Sequence, residues 1–242
     1  MNRRLEAVGL TKFYHKKEVV SNVSITVDRG EVVGLLGPNG AGKTTTFSLI
    51  LGLIQQNAGQ IFLGGEEITG LPMYIRARKG LCLLPQESSA FRKLSVEDNL
   101  VSIVESMPED SPKGNGNLRE VLNELGLTKL TNVKAFTLSG GERRRLEIAR
   151  ALVTNPEFIL LDEPFTGIDP LAILDLQEII LTLKEKGIGV LITDHSVRET
   201  LKVTDRAYII DKGKILAQGT PDQLVSSEEV KKIYLGEEFD LD

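Results

Sequence analysis

Residues 37–44 read Gly-Pro-Asn-Gly-Ala-Gly-Lys-Thr, which fills every position of the phosphate-loop spacing G-x-x-x-x-G-K-[ST]. The flanks of this loop constrain the fold more than any other feature. Glu31–Leu36 is a short apolar run that reads as a strand, and Thr45–Leu51 reads as a helix. A strand turning through glycines into a helix points successive backbone N–H groups, and the positive end of the helix dipole, at one place. Lys43 is then within reach of the β- and γ-phosphates of a nucleotide, and the Thr44 hydroxyl can ligate Mg2+. The expected phosphate-binding set is Gly37, Pro38, Asn39, Gly40, Ala41, Gly42, Lys43, Thr44 and Thr45.

Composition narrows the class. A chain of 242 residues, 41% of them hydrophobic, has enough material for one large α/β domain with a packed core. The net charge of −5 opposes nucleic acid as a partner. The one basic run, Arg143–Arg145, follows Glu142 and reads as a solvated helix face. Cys82 is the single cysteine, so no internal disulfide forms, and a reducing compartment is expected. In Leu81-Cys-Leu-Leu84 it reads as a small buried apolar residue, not a nucleophile. The start of the chain has no apolar stretch of the secretory type. The longest apolar-rich segment, 47–54, is broken by Ser48 and Gly52 and falls far below the roughly 20 residues needed to cross a bilayer. The expectation is a soluble protein, or one that docks on a membrane through something else.

Patterning suggests the order of elements. In residues 1–35 the inward positions Leu5, Ala7 and Gly9, then Val23, Ile25 and Val27, alternate with polar ones, as in a small antiparallel sheet. Residues 60–63 form another short strand before the Gly64-Gly65 turn. Ser95, with Asp98 three residues on, is placed to cap a helix, and 108–117 is a Pro/Gly/Asn-rich surface linker. Helices are expected over 118–125 and 142–153, so about 88–154 reads as a helical insertion. Thereafter strands over 158–161 and 188–193 alternate with helices over 171–186 and 197–203. A hairpin turns at Lys212-Gly213, and a last helix begins at Pro221.

Two further motifs carry chemistry. The apolar run Phe158–Leu161 ends in Asp162-Glu163. An acid at the carboxyl end of a buried strand helps hold Mg2+ near the phosphates, and the next one can polarise a water for in-line attack. Ser139-Gly140-Gly141, entering a helix, forms a second anion-binding turn. Two such turns for one nucleotide make sense if the second serves the ATP of a neighbouring copy. His195, one of only two histidines, directly follows an apolar strand, where it can donate a hydrogen bond to a γ-phosphate.

The series of phosphate loop, Gln86, Leu138-Ser-Gly-Gly-Glu142, strand ending Asp-Glu and lone His195 resembles the ATP-binding subunits of ATP-binding cassette transporters over essentially the whole chain. The resemblance implies a P-loop NTPase fold, α/β, with a mainly parallel sheet flanked by helices, a small N-terminal antiparallel β part and an inserted α-helical lobe. It implies one domain over 1–242, with a RecA-like core from 1–87 and 155–242 and the lobe at about 88–154. By the same resemblance Tyr14 stacks on adenine, Gln86 contacts Mg2+ and the attacking water, and Asp169 bridges two subunits. The catalytic set is then Glu163, His195 and Gln86, and the metal set is Thr44, Gln86 and Asp162, with ATP and Mg2+ bound. Implied partners are a second copy of the chain, sandwiching two ATP between the Lys43 loops and the Ser139 turns, and two integral membrane permease subunits. Neither nucleic acid nor the transported substrate is expected to touch this chain.

Within that family, residues 84–100, 138–145, 193–200 and 234–239 most resemble the branch that powers lipopolysaccharide export in Gram-negative bacteria. The branch places its ATPase on the cytoplasmic face of the inner membrane, with Phe91 and Arg92 in a groove that receives a membrane-subunit helix. The chain departs from that branch's usual text mainly within 105–120 and at single positions such as Thr166 and Ser196. The other readings are the ATPase of another transporter, such as a branched-chain amino acid importer, a soluble cassette ATPase acting on ribosomes or DNA, and a non-enzymatic nucleotide sensor.

Overall fold

The computed structural model describes residues 3–107, 118–236 and Phe239. Two sheets organise it. The first is antiparallel, in the order β2-β1-β4-β5, built from Arg4–Tyr14 (β1), Lys17–Asp28 (β2), Ala58–Leu63 (β4) and Glu66–Glu67 (β5). The second has the order β10-β9-β3-β8-β7-β6. Its members are Val32–Leu36 (β3), Leu81–Leu84 (β6), Phe158–Asp162 (β7), Gly189–Thr193 (β8), Arg206–Asp211 (β9) and Lys214–Gly219 (β10). Only β10 runs antiparallel to its neighbour. Every residue of β3 and β8 is buried, as the unbroken apolar runs require of strands covered on both faces.

One face of the six-stranded sheet, carrying Val33, Leu35, Leu160 and Leu191, packs against the antiparallel sheet and α1 (Lys43–Leu51). The opposite face, with Ile159, Leu161, Val190 and Ile192, packs against α3 (Val96–Ser106), α5 (Gly140–Leu152) and α6 (Pro170–Glu185). The helices of the 88–154 segment, α4 (Leu118–Glu124) among them, therefore share a hydrophobic cluster with the sheet. Ser95 caps α3 by accepting the Asp98 N–H at 3.0 Å.

Several boundaries differ from the sequence reading, each for a local reason. Gly9 is not an inward position. The β1–β2 register shifts there, and Leu10, fully buried, takes the place. Helix α5 starts at Gly140 because Ser139 and Glu142 close a capping box. The helix from Val197 (α7) ends at Leu201, short of Val203. The Pro221 helix (α8, Pro221–Val225) is not the last, since Glu228–Val230 (α9) and a π turn over Lys231–Leu235 follow. Strand β6 and helix α2 (Met73–Arg78) were not anticipated. The linker at 108–117 lies outside the described residues.

Helix α2 carries the most unusual buried side chain. Arg76 is 2% exposed, and burial lowers its pKa to about 10. Its guanidinium donates to the carbonyls of Leu49, Ile50, Thr69 and Leu71. Two of these are at the carboxyl end of α1, where a cation complements the helix dipole. Buried carbonyls thus take the place of water around the charge.

Candidate functional site

The phosphate loop leaves β3 and enters α1 as expected. A Cβ at Gly37 would lie 2.0 Å from the Ile210 carbonyl oxygen, so only glycine fits. Gly42, at φ 110°, packs against the Val19 carbonyl and caps α1 in the left-handed region that glycine tolerates. The Lys43 side chain turns back into the loop and donates to the carbonyls of Gly37 at 2.6 Å and Pro38 at 3.1 Å. Burial lowers its pKa, while Glu163, Asp194 and Asp162 act in the opposite direction. Thr44 is exposed at the helix start, Thr45 is half-buried and Thr46 bonds back to Gly42.

Residues 39–45 line a cavity of about 430 Å³, together with Val19, Glu163 and His195. Glu163 adopts φ 45°, a costly conformation for a residue with a side chain, and its N–H donates to the Thr193 carbonyl at 2.6 Å. His195 Nε2 lies 2.6 Å from Glu163 Oε1. Behind them, fully buried Asp194 accepts from the N–H groups of Phe165 and Ser196, each at 2.7 Å. It thereby fastens the loop after Glu163 to the loop after His195. Neither Asp194 nor its role was read from the sequence, where an acid beside a histidine gives no sign of burial.

Asp162 ends β7 on the same side of the sheet as α1. Burial, and then the charges of Glu163 and Asp194, push its carboxyl pKa up. Such a surplus of negative charge is what a divalent cation relieves. Among the described residues no cluster of three or more His, Cys, Asp or Glu could cage a metal. Magnesium needs no cage when it takes a carboxylate, a hydroxyl and phosphate oxygens, so Asp162 and Thr44 fit an ion that arrives with a nucleotide.

The other expected site residues do not reach this cavity. Tyr14 stands at the tip of the β1–β2 hairpin, exposed, with the Lys12 ammonium 5.4 Å from its ring centre. Gln86 is exposed in the loop after β6. Asp169 caps α6 by accepting the Ala172 N–H at 3.0 Å. At the Ser139 turn, Ser139 and Gly140 are exposed and Gly141 is half-buried. Ser139 N–H donates to Glu142 at 2.8 Å, which holds the Glu142 carboxyl pKa down. Cys82 is partly buried, and desolvation pushes its thiol up to about 11, so it is no nucleophile.

Phe91 is held by its backbone while its ring projects outward. Buried Asn99 both accepts the Phe91 N–H and donates to its carbonyl. The Arg150 guanidinium lies 4.6 Å from the ring centre. Arg92 is exposed beside it. A larger cleft of about 690 Å³ opens at the far end of α3, lined by Met73 and Tyr74 of α2, Leu83, and Ser106 and Met107. Among the described residues no helix is long and apolar enough to cross a membrane.

A glycine loop, a buried lysine and the acid Glu163 around one cavity at the carboxyl edge of a parallel sheet define a P-loop nucleotide-binding protein. The sequence profile of the ABC transporter family matches residues 20–166, and the chain belongs to that family as its ATP-binding cassette. A profile described as "Branched-chain amino acid ATP-binding cassette transporter" matches 214–240. The chain is 52% identical over 238 residues to the lipopolysaccharide export system ATP-binding protein LptB of Haemophilus influenzae, covering 98% of this chain and 99% of that one. It is 50% identical to the LptB of Escherichia coli K12 with the same coverage. A solved ATP-binding cassette of an ABC transporter in its ADP conformation superimposes with a TM-score of 0.88 at 30% identity, covering 98% of this chain and all of that one.

Proposed function

We infer that this chain is the ATP-hydrolysing subunit of a transporter that exports lipopolysaccharide, acting on the cytoplasmic face of the inner membrane. The observation that carries the ATPase reading is the convergence of Lys43, Glu163 and His195 on one cavity, with Glu163 and His195 2.6 Å apart. The cargo rests on half the residues being identical, across nearly the whole length, to proteins named for lipopolysaccharide export.

In this reading the triphosphate displaces the Gly37 and Pro38 carbonyls from the Lys43 ammonium and takes up the loop's N–H groups. Asp162 and Thr44 would hold the Mg2+ that accompanies it, joined by Gln86 once its loop closes over the cavity, and the ion would supply positive charge against the phosphates. Tyr14 stacks on the adenine. A second copy closes over the site, and its Ser139, Gly140 and Gly141 cap the γ-phosphate, with Asp169 at the seam. Closure excludes water except the one that attacks. Glu163 takes its proton. His195, which now pins Glu163, and Gln86 orient it. Two permease subunits each insert a helix along α3, between Phe91 and Arg92 at one end and the Tyr74 cleft at the other. The described surface offers an anchor of exposed ring and cation at the first position.

Glu163→Gln tests the ATPase reading. ATP binding is retained, a closed dimer accumulates and turnover collapses, whereas hydrolysis at the parent rate removes Glu163 as the base. Phe91→Ala leaves the isolated chain's ATPase unchanged and weakens association with the membrane subunits, and unaltered co-purification removes Phe91 from the groove. The short match at 214–240 favours a second reading, a branched-chain amino acid importer. It spans 27 residues (214 to 240 inclusive), against 238 for the export proteins. Identifying the membrane subunits that co-purify from gently solubilised membranes separates the two.

A further inference from the structure

The end of β8 holds a polar group that the mechanism above leaves unused. Thr193 is 1% exposed, and its Oγ1 has no hydrogen-bond partner among the described residues. Its carbonyl, by contrast, is engaged by the Glu163 N–H. A buried hydroxyl without a partner is costly, and valine has nearly the same shape without that cost. A buried hydroxyl of this kind is free to meet an ordered water, an ion or a ligand in another state.

The sheet register shows which ligand is within reach. Thr193 lies directly beside Asp162 in the parallel β7–β8 ladder. Leu160 and Leu191, two residues earlier on each strand, pack into the cluster under α1, and residues two apart share a face. The side chains of Asp162 and Thr193 are therefore both on the side of α1, which begins at Lys43 and Thr44. Strand β8 also lies between β3, which leads into the phosphate loop, and β7. Thr193 thus stands on the strand between the one that leads into the phosphate loop and the one that carries Asp162.

We propose that the Thr193 hydroxyl is a further group of the magnesium site, hydrogen-bonding to the hydrated ion of MgATP alongside Asp162. The inference rests on the reading that this cavity binds MgATP. Thr193 acts through the ion's hydration shell and is a positioning residue, not a catalytic one. Outer-shell partners of this kind change metal affinity about 10- to 100-fold when removed.

The test uses the full chain and measures ATP affinity without metal and across a Mn2+ titration, with Mn2+ binding followed by its paramagnetic resonance. Thr193→Val is expected to raise the Mn2+ concentration for half-maximal ATP binding about tenfold. Metal-free ATP affinity stays within about twofold, and the melting temperature is equal or higher, since an unpaired buried hydroxyl has been removed. Thr193→Ser, which keeps the hydroxyl, restores the parent titration. Thr193→Ala deletes it by another route and serves if the valine variant fails to fold. A parent Mn2+ titration in folded Thr193→Val or Thr193→Ala overturns this inference alone. A parent chain that binds no ATP with or without metal overturns the functional reading, and this inference with it.

Discussion

The Gly37–Thr44 loop and the Ser139–Gly141 turn are both glycine-rich entries to a helix, yet they stand in opposite surroundings. The first is walled in. A Cβ at Gly37 or Gly42 would strike the backbone of Ile210 or Val19, and Lys43 is buried against the loop's own carbonyls. The second is open. A Cβ at Gly140 would meet nothing within 4 Å, and the side chains of Ser139 and Glu142 each bond back to the other's backbone N–H. The first loop is finished by its own chain, whereas the second lacks an opposing wall. A phosphate bound only at Ser139 would remain in water, where N–H dipoles are screened. The difference teaches that a glycine-rich helix entry is completed by its own chain at Gly37–Thr44 and left open at Ser139–Gly141.

The largest expected effect separates the two by ATP affinity. In the isolated chain Lys43→Ala should weaken ATP binding about 100-fold or more, because a charge-assisted contact to phosphate is removed from a partly desolvated site. Ser139→Ala should leave that affinity within about twofold, yet reduce turnover of the assembled transporter strongly. Equilibrium binding of a fluorescent ATP analogue measures the first quantity and phosphate release the second. Equal loss of binding in both variants would break the comparison, because the Ser139 turn would then serve its own chain.

Stability gives the next largest contrast. Gly37→Ala forces a methyl group into the Ile210 carbonyl and should destabilise the fold by about 3 kcal/mol, the upper range for overpacking. Gly140→Ala places alanine at the first position of α5 in open space and should stabilise by up to about 0.5–1 kcal/mol. Urea unfolding of the two variants measures both. A Gly140→Ala loss as large as that of Gly37→Ala would mean that the second turn is also walled.

The same contrast explains what was legible in the sequence. The phosphate loop is local, so its strand, glycines and helix could be read from eight consecutive residues and their flanks. The helix entry at Ser139 was legible for the same reason, though the helix was placed two residues late and its capping box was not read. What escaped was contact between distant segments. Arg76, Asn99 and Asp194 read as surface residues in a sequence, because charged and amide side chains usually are. Each is buried because backbone groups from elsewhere meet its polar atoms. Strand β6 was missed although Leu81–Leu84 is as apolar as Phe158–Leu161, because the run was read only as the surroundings of Cys82 and its pairing with β7 joins distant segments. The unpaired hydroxyl of Thr193 likewise has no sequence signature, since only the packing shows that nothing reaches it.

The smallest expected effect concerns pH, and it sharpens the comparison because the two sites titrate with opposite sign. Burial raises the Asp162 pKa in the folded chain. The folded state then binds the proton more tightly than the unfolded one, so this group's ionisation weakens folding at neutral pH, and stability is regained as pH falls through the folded value. Asp162→Asn should therefore raise the melting temperature of the nucleotide-free chain at pH 7 by about 2–4 °C, what roughly 1 kcal/mol makes in a chain of this length. That advantage should shrink toward pH 4. At Glu142 the Ser139 N–H lowers the pKa, so its contribution is full above the unfolded value and is lost as pH falls through the folded one. Glu142→Gln should lower the melting temperature at pH 7 by about 1 °C or less, since the carboxylate is largely solvated and screened. Its difference from the parent also fades in acid. Thermal melts of the three proteins from pH 4 to 8 measure both trends, and a destabilising Asp162→Asn at pH 7 would show that its carboxylate is already compensated without a cation. Adding MgATP should then reverse the order at Asp162, whose charge becomes useful once the ion is bound, and leave the Glu142 difference unchanged in a chain kept too dilute to pair.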